Sequence, residues 1–162
     1  MKKLLLFFFT GVFLITSLQA QGTFKIGISG GVPLGDASDI STFALGADAY
    51  YLFGKRKALV RLGPTVGFRN FFGEEISPGL TVDDAQFVPL AIAGRVSLLG
   101  ILQGGVDVGY ALGVSDFLDG GFYIRPVLAF GILRLFELTL SYESISDNAT
   151  WGNANIGLLL VL

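Results

Sequence analysis

The sequence of 162 residues contains no cysteine and no histidine. Without cysteine, the chain can form neither a disulfide framework nor a thiolate nucleophile or metal site. Without histidine, it lacks the commonest general base and the commonest metal ligand. These two absences argue against most catalytic and metal-binding chemistry, so we expect no enzyme activity and no cofactor.

Charged residues are also scarce, at 15% of the chain, where an average globular protein has about 25%. The formal net charge of −2 provides no basic surface, and we expect no nucleic-acid partner. Apolar residues and glycine are abundant instead: the chain is 52% hydrophobic and 13% aromatic, and it contains 23 glycines. This composition is typical of a membrane protein.

The longest apolar run does not favour a membrane helix. It extends from Arg95 to Val114, RVSLLGILQGGVDVGYALGV, and roughly twenty apolar residues are enough to cross a bilayer as a helix. Its repeated glycines argue against that structure, because each costs about 1 kcal/mol relative to alanine inside a helix. Another way of crossing the membrane has to be considered.

The first twenty residues, MKKLLLFFFTGVFLITSLQA, predict a cleavable signal peptide. Two lysines precede an apolar core from Leu4 to Ile15, and a short polar stretch ends at the small residue Ala20. The alternative is a membrane anchor, but the apolar core is too short to span comfortably. We expect cleavage after Ala20, which leaves residues 21–162 as one domain outside the cytoplasm.

The mature chain alternates apolar and polar or small residues with period two, the pattern of β-strands. Eight segments show it: TFKIGISGGVPL, STFALGADAYYLF, ALVRLGPTVGFR, QFVPLAIAGRVSL, LQGGVDVGYALGV, GFYIRPVLAF, FELTLSYES and NANIGLLLVL. About ten residues is the length that a tilted strand needs to cross the hydrocarbon layer. In this arrangement the run Arg95 to Val114 forms two strand portions around a short LLGI turn, and its glycines are small inward residues beside longer side chains.

The connections between these segments alternate between tight turns and longer loops, as in up-and-down membrane barrels. The tight turns contain basic residues, which are Lys55, Arg56, Lys57 and Arg134. The longer loops and their edges contain acidic residues, which are Asp36, Asp39, Glu74, Glu75, Asp83, Asp84, Asp116, Asp119 and Asp147. The predicted fold class is therefore all-β: an eight-stranded, antiparallel, up-and-down transmembrane β-barrel preceded by a signal peptide.

The remaining charges of the mature chain fall within the strands, on the less apolar face. They are Lys25, Asp48, Arg61, Arg69, Arg95, Asp107, Arg125, Glu137 and Glu143. A charge on the lipid face near mid-membrane costs about 2–4 kcal/mol, so we place all nine in the lumen. An eight-stranded lumen is just wide enough to be filled by side chains, and removing one partner of a buried pair costs about 3–5 kcal/mol. We predict a salt-bridged plug; the alternative is an ion path lined by the same charges.

Aromatic residues on the outward parity form two predicted girdles at the membrane interfaces. Phe24, Tyr51, Phe53, Phe130 and Phe136 lie toward the tight turns, and Phe43, Phe68, Tyr110, Phe122 and Tyr142 lie toward the long loops.

Four prolines also fall inside predicted strands, at Pro33, Pro64, Pro89 and Pro126. Because proline removes a ladder hydrogen bond, we expect bulges or strand ends at some of them.

AQGTFKIGISGGVPLGD, followed by alternating strands and acidic loops, resembles the small eight-stranded outer-membrane β-barrels of Gram-negative bacteria, the porin-family or outer-membrane β-barrel domain proteins, in the versions common in Bacteroidetes. The resemblance implies periplasmic tight turns and termini, and long loops at the cell surface. It also implies surrounding outer-membrane lipid and lipopolysaccharide, insertion by the barrel assembly machinery, and a monomer. The chain ends in Leu162, where that family usually ends in an aromatic residue.

The enzymes known among such barrels use histidine, which this chain lacks. Glu74, Glu75, Asp83 and Asp84 could form a carboxylate dyad or loosely gather Ca²⁺, but their spacing matches no defined calcium loop. A soluble lipid-binding barrel would need the reverse distribution of polar and apolar faces. The sequence therefore predicts a non-enzymatic outer-membrane barrel with a plugged lumen, serving envelope structure or surface contacts through its acidic loops. The alternative is a narrow porin-like channel for small solutes or ions.

Overall fold

The computed structural model describes residues 22–54, 58–77, 80–115, 118–146 and 149–162. The predicted signal peptide, residues 1–20, lies outside these ranges, as do the turn and loop residues Lys55, Arg56, Lys57, Asp116 and Asp147. Among the described residues, no helix has the length and hydropathy needed to cross a membrane.

The described chain is built almost entirely of β-strands. They are β1 (Gly22–Gly35), β2 (Ser41–Phe53), β3 (Val60–Gly73), β4 (Glu75–Ser77), β5 (Leu80–Thr81), β6 (Ala85–Leu99), β7 (Leu102–Gly113), β8 (Gly120–Ile132), β9 (Phe136–Ser146) and β10 (Thr150–Val161). The eight long strands pair with their sequence neighbours in antiparallel fashion, and β1 pairs with β10 to close the barrel. The short strands β4 and β5 form a separate hairpin in the connection between β3 and β6. This topology confirms the predicted eight-stranded, antiparallel, up-and-down β-barrel.

The two faces of the barrel wall differ in polarity, because side chains alternate along each strand. On β8, for example, Phe122, Ile124 and Leu128 are exposed on the outside, whereas Tyr123 and Arg125 are buried inside. All charged residues of the eight barrel strands are buried on the inner side. The outer surface of the strands is consequently a broad apolar band.

The outward aromatic residues lie on this band. Those exposed at the outer surface are Phe24, Phe43, Phe53, Phe68, Tyr110, Phe122, Phe136 and Tyr142, and Tyr51 and Phe130 are partly exposed. Phe72, which the strand assignment from sequence had placed in a loop, is also exposed and stacks on Phe43 with ring centroids 6.3 Å apart.

The sequence-predicted end of β3 at Arg69 was wrong. The strand continues to Gly73 because Asn70 and Phe71 pair with Gln86 and Ala85 of β6. Asn70 occupies an outward position, but its amide is held by neighbouring polar side chains and is only 8% exposed. A polar residue that continues the strand in this way gives the same local signal as the start of a loop.

Three of the four prolines interrupt a strand pairing without shifting its register, so they mark neither a bulge nor a strand end. Across Pro89, the pairing of β3 with β6 keeps one register on both sides of the gap. The reason is that Pro89 stays paired with Ala111 of β7 on its other side. Pro64 and Pro126 behave likewise. Pro33 differs, because it lies beyond the last described pair of the β1–β2 ladder and so marks the end of that ladder.

The apolar run from Arg95 to Val114 contains the end of β6, a turn at residues 100–101 and the whole of β7. The predicted hairpin is thereby confirmed. The prediction that its glycines are inward residues was wrong for two of them: Gly100 adopts a positive φ of 60° in the turn, and Gly104, paired with the exposed Val96, points outward. Gly105 points into the lumen, where a Cβ atom would overlap the carbonyl oxygen of Gly94 and lie 2.7 Å from Arg95 Cδ.

Gly105 and Gly104 form a matched pair for testing this packing. We expect Gly105→Ala to lower the free energy of unfolding by about 1–3 kcal/mol, because the added methyl group overpacks the lumen wall. Gly104→Ala should change it by less than about 0.5 kcal/mol, since the nearest atom to its Cβ would be Leu98 Cδ1 at 3.6 Å. The urea midpoint, followed by fluorescence of the single tryptophan Trp151, measures both. Equal shifts in the two variants would contradict the inward assignment of Gly105.

Candidate functional site in the barrel lumen

The nine charged residues predicted for the lumen are all buried, each with at most 8% of its surface exposed. They are Lys25 on β1, Asp48 on β2, Arg61 and Arg69 on β3, Arg95 on β6, Asp107 on β7, Arg125 on β8, and Glu137 and Glu143 on β9. Strand β10 contributes the uncharged amides of Asn153 and Asn155. The charges come together in three groups, stacked along the barrel from the tight turns toward the long loops.

The group nearest the long loops is centred on Arg69, whose side chain is completely buried. Its Nε lies 2.6 Å from Glu143 Oε2, and its Nη2 lies 2.9 Å from Asp48 Oδ1. The remaining Nη1 donates to the carbonyl oxygens of Ala47 and Phe68. The planar fork of an arginine suits this multiple contact, which a lysine could not reproduce.

Glycine on β2 and β3 makes room for this guanidinium group. A Cβ atom at Gly46 or at Gly67 would lie 3.0 Å from Arg69 Nη1. Glu143 receives two further hydrogen bonds, one from Asn153 Nδ2 at 3.0 Å and a longer one from the Tyr123 hydroxyl at 3.4 Å. Both charges of this pair are therefore compensated by charge and by hydrogen bonds, which burial of an ion pair requires.

The middle group joins two ion pairs through a tyrosine. Arg95 Nη1 lies 2.6 Å from Asp107 Oδ1, and Arg125 Nη1 lies 2.7 Å from Asp48 Oδ2. The hydroxyl of Tyr50 donates to Asp107 Oδ2 and accepts from Arg125 Nη1, each at 3.2 Å. The Arg95 guanidinium also lies 5.3 Å from the centroid of the Tyr50 ring, within the range of a cation–π contact.

The group nearest the tight turns joins Lys25, Glu137, Gln103 and Arg61. Lys25 Nζ lies 2.6 Å from Glu137 Oε2. Gln103 Nε2 donates to Glu137 Oε1 at 3.1 Å, and Arg61 Nη2 donates to Gln103 Oε1. Gln103 was missed by the sequence analysis, although it is four residues from Asp107 and therefore shares its inward parity.

An aromatic cluster lies above the charges, at the long-loop end of the lumen. Phe71, Phe87 and Trp151 contact one another with ring centroids 5.4–6.0 Å apart. Ala37, from the 3-10 turn Asp36–Asp39 that follows β1, packs on the same cluster and is 1% exposed. We refer to Phe71, Phe87, Trp151 and Ala37 as the aromatic cap. All four residues are buried, with at most 8% of their surface exposed.

The sequence analysis did not identify the aromatic cap, but a signal for it was present. Phe71 is two residues from Arg69, and Phe87 is eight residues from Arg95, so both share the inward parity of a lumen charge. An aromatic residue that lies an even number of positions from an inward charge on the same strand thus indicates an aromatic side chain in the lumen.

The carboxylates of the lumen are engaged as ion-pair and hydrogen-bond acceptors. Among the described residues, no three acidic side chains converge in a way that could hold a metal ion. The loop residue Asp84 is engaged too: its carboxylate accepts hydrogen bonds from the Gly73 amide and from Asn70 Nδ2, each at 3.0 Å. The arrangement supports rigidity and closure of the lumen more directly than acid–base chemistry.

Arg69 provides the sharpest test of the network. We expect Arg69→Met to lower the free energy of unfolding by about 3–5 kcal/mol, because it leaves two buried carboxylates without their common cation. Arg134→Met in the β8–β9 turn, where the side chain is exposed, should cost less than about 0.5 kcal/mol. Urea titration monitored by tryptophan fluorescence measures both variants. A cost for Arg69→Met as small as that of the turn variant would show that the network contributes little to stability.

Comparison with known proteins gives a consistent picture of the fold. No protein-family model and no curated protein sequence matches the chain. The crystal structure of Ail, the attachment invasion locus protein of Yersinia pestis, is similar with a TM-score of 0.62, at 14% sequence identity over 88% of this chain and 98% of that one.

Two further solved structures share this likeness. The N-terminal β-barrel domain of OprF from Pseudomonas aeruginosa gives a TM-score of 0.60, at 14% identity over 88% of this chain and 98% of that one. A barrel from the de novo design of transmembrane β-barrels gives 0.59, at 11% identity over 89% of this chain and 98% of that one. At such identities the likeness is one of fold, and the chain has the fold of the small eight-stranded outer-membrane β-barrels.

Proposed function

We propose that the chain is a non-enzymatic, integral outer-membrane barrel with a closed lumen, which serves envelope structure or surface contacts. The observation that carries this proposal is the distribution of polarity across the wall. The outer face of the strands is apolar and exposed, with Ile92 at the centre of β6 exposed to 58%, whereas the charges lie inside and pair with one another. In lipid, a closed barrel satisfies every backbone donor and acceptor, so this distribution is favourable there.

The proposed orientation places the tight turns and chain ends in the periplasm and the long loops at the cell surface. Two loops are attached to strand ends by acidic side chains. Asp36 Oδ2 accepts a hydrogen bond from the Thr150 amide at 2.8 Å, and Asp84 Oδ1 accepts one from the Gly73 amide at 3.0 Å. Other loop acids remain exposed, namely Asp39, Glu74, Asp83 and Asp119. Loops held in this way present a defined acidic surface to a partner outside the cell, next to the lipopolysaccharide in which the barrel would lie.

A closed lumen is favoured over a channel because side chains from opposite walls meet at several heights. Asp48 on β2 contacts Arg125 on β8, and Arg69 on β3 contacts Glu143 on β9, so each pair joins strands that lie four places apart around the barrel. The aromatic cap lies above both contacts. An ion crossing the barrel would have to displace ion pairs and then pass an apolar constriction, each of which is unfavourable in a lumen of this width.

Substitution of a residue at the centre of the outer wall tests the membrane assignment. In lipid vesicles, we expect Ile92→Arg to lower the free energy of unfolding by about 2–4 kcal/mol, since a charge then lies at the bilayer midplane. Leu135→Arg, in the β8–β9 turn and exposed to 54%, should cost no more than about 1 kcal/mol in the same vesicles. Heat-modifiable gel migration and urea titration provide the measurements. If both variants cost less than about 0.5 kcal/mol, as at an ordinary water-exposed surface, the outer wall does not face lipid.

Conductance across a planar bilayer tests the closed lumen. Purified barrel, shown by heat-modifiable migration to be folded, should give no steady, reproducible unit conductance. The physical reason is the combination of three levels of paired charge and the aromatic cap. Uniform channels that scale in number with added protein would instead support the narrow porin-like channel.

A further inference from the structure

Among the described residues the two ends of the lumen differ: the aromatic cap fills the long-loop end, and a recess lies at the tight-turn end. Between the turns that join β6 to β7 and β8 to β9, and the start of β3, lies a recess of about 730 Å³. Small-molecule sites commonly occupy about 300–1,000 Å³. We refer to this recess, lined by Leu59, Ser97, Ile101, Gln103, Leu133 and Glu137 among others, as the turn pocket.

The turn pocket has a polar floor and an apolar rim. Its floor is formed by Gln103 and Glu137, the outermost members of the charge network described above. Its rim is formed by Leu59, Ile101 and Leu133, which are 67%, 66% and 83% exposed. A ligand that fits both parts must itself have a polar head and an apolar tail.

Leu133, the first residue of the β8–β9 turn, has a backbone conformation that is uncommon for leucine. It has a φ of 56°, the only non-glycine residue with positive φ among the described residues. That region of backbone conformation favours glycine and is sterically unfavourable for leucine. The side chain is almost fully exposed, so it gains little free energy from burial that could offset this unfavourable conformation. A strained, exposed leucine at the mouth of a pocket fits a position that contacts a ligand.

The charges around the turn pocket favour an anionic head group. Glu137 on the floor is already neutralised by Lys25 Nζ at 2.6 Å. Arg61 donates to Gln103 from behind the floor and lies within electrostatic range of Lys25, and Arg134 lines the pocket at the turn. Lys25, Arg61 and Arg134 thus lie around Glu137, and a cation that lines a recess, as Arg134 does, attracts anions to it.

We propose that the turn pocket binds an anionic amphiphile: a carboxylate or phosphate head attached to a short apolar tail. The head lies over Gln103 with Arg134 beside it, and the tail contacts Leu133, Leu59 and Ile101. Binding leaves the aromatic cap and the closed state of the lumen unchanged. In the orientation proposed above, the site opens to the periplasm, so the ligand is a free amphiphile or a lipid head group of that side.

Binding of hexyl phosphate to the barrel in phosphatidylcholine nanodiscs tests the proposal. Titration calorimetry should show saturable binding at one site per barrel, beyond the partitioning seen with empty nanodiscs. Inorganic phosphate and hexanol should each bind at least tenfold more weakly, since each lacks one half of the ligand. Equally tight binding of hexanol would overturn the anionic head, and equally tight binding of inorganic phosphate would overturn the role of the apolar rim. Binding of hexyl phosphate no greater than to empty nanodiscs would overturn the site altogether.

Two glycines provide a matched pair of variants that locate the binding site. A Cβ atom at Gly131, which lines the turn pocket, would lie 3.5 Å from the Ile101 carbonyl oxygen, so Gly131→Leu fills the recess without a backbone clash. Gly104→Leu adds the same side chain to the outer wall, where Leu98 Cδ1 would lie 3.6 Å from the new Cβ. With both variants confirmed as folded by heat-modifiable migration, hexyl phosphate affinity should fall at least tenfold for Gly131→Leu and stay unchanged for Gly104→Leu. Equal affinities would place the binding elsewhere.

Variants of Leu133 and Arg134 distinguish a ligand-binding role of the pocket rim from a structural one. Leu133→Gly should raise the urea midpoint, because it relieves the positive φ, while it weakens hexyl phosphate binding several-fold. Arg134→Gln should weaken hexyl phosphate several-fold and leave the weak binding of hexanol unchanged. If Leu133→Gly left the affinity for hexyl phosphate intact, the rim would have no role in binding. These readouts concern the pocket only, so they are distinguishable from the vesicle test of the membrane assignment.

Discussion

Asp48 accepts hydrogen bonds from two arginines, Arg69 on β3 and Arg125 on β8, and so connects opposite sides of the barrel wall. The stability of the side-chain network in the lumen depends on ion pairs of this kind. A barrel whose outer face is apolar has to hold its polar side chains inside, and each buried charge there destabilises the fold unless an opposite charge and hydrogen bonds compensate it. The described network meets this requirement with acceptors shared between cations and with amide and hydroxyl groups that occupy the remaining positions.

The same constraint explains the distribution of small residues on the inner wall. Arginine side chains are long, and the lumen of eight strands has no spare volume for them. Gly46 and Gly67 leave space beside Arg69, and Gly105 leaves space beside Arg95. A large side chain on one strand is therefore matched by glycine on its neighbour, and substitution at either position disturbs the other. The high glycine content follows from packing of the lumen as well as from the turns.

The barrel is asymmetric along its axis in closure and in charge. The long-loop end combines the aromatic cap with acidic loops, two of which are held by hydrogen bonds from Asp36 and Asp84 to backbone amides. The tight-turn end combines basic residues, exposed leucines and an open pocket. The proposed function and orientation make the long-loop end a surface for contacts outside the cell and the tight-turn end a recess that faces the periplasm.

The sequence by itself determined the eight barrel strands and which face of each is apolar, because the period-two alternation is a local property of the chain. It did not reveal the short β4–β5 hairpin. It did not reveal the end of β3, since Asn70 continues the strand with a residue that is equally common in loops. It also did not reveal which charge meets which: Arg125 and Asp48 are 77 residues apart and Lys25 and Glu137 are 112 apart. Those partners depend on the register and stagger with which eight strands close into a barrel. The aromatic cap and the turn pocket also depend on the tertiary structure, because each is assembled from strand ends or turns that only barrel closure brings together.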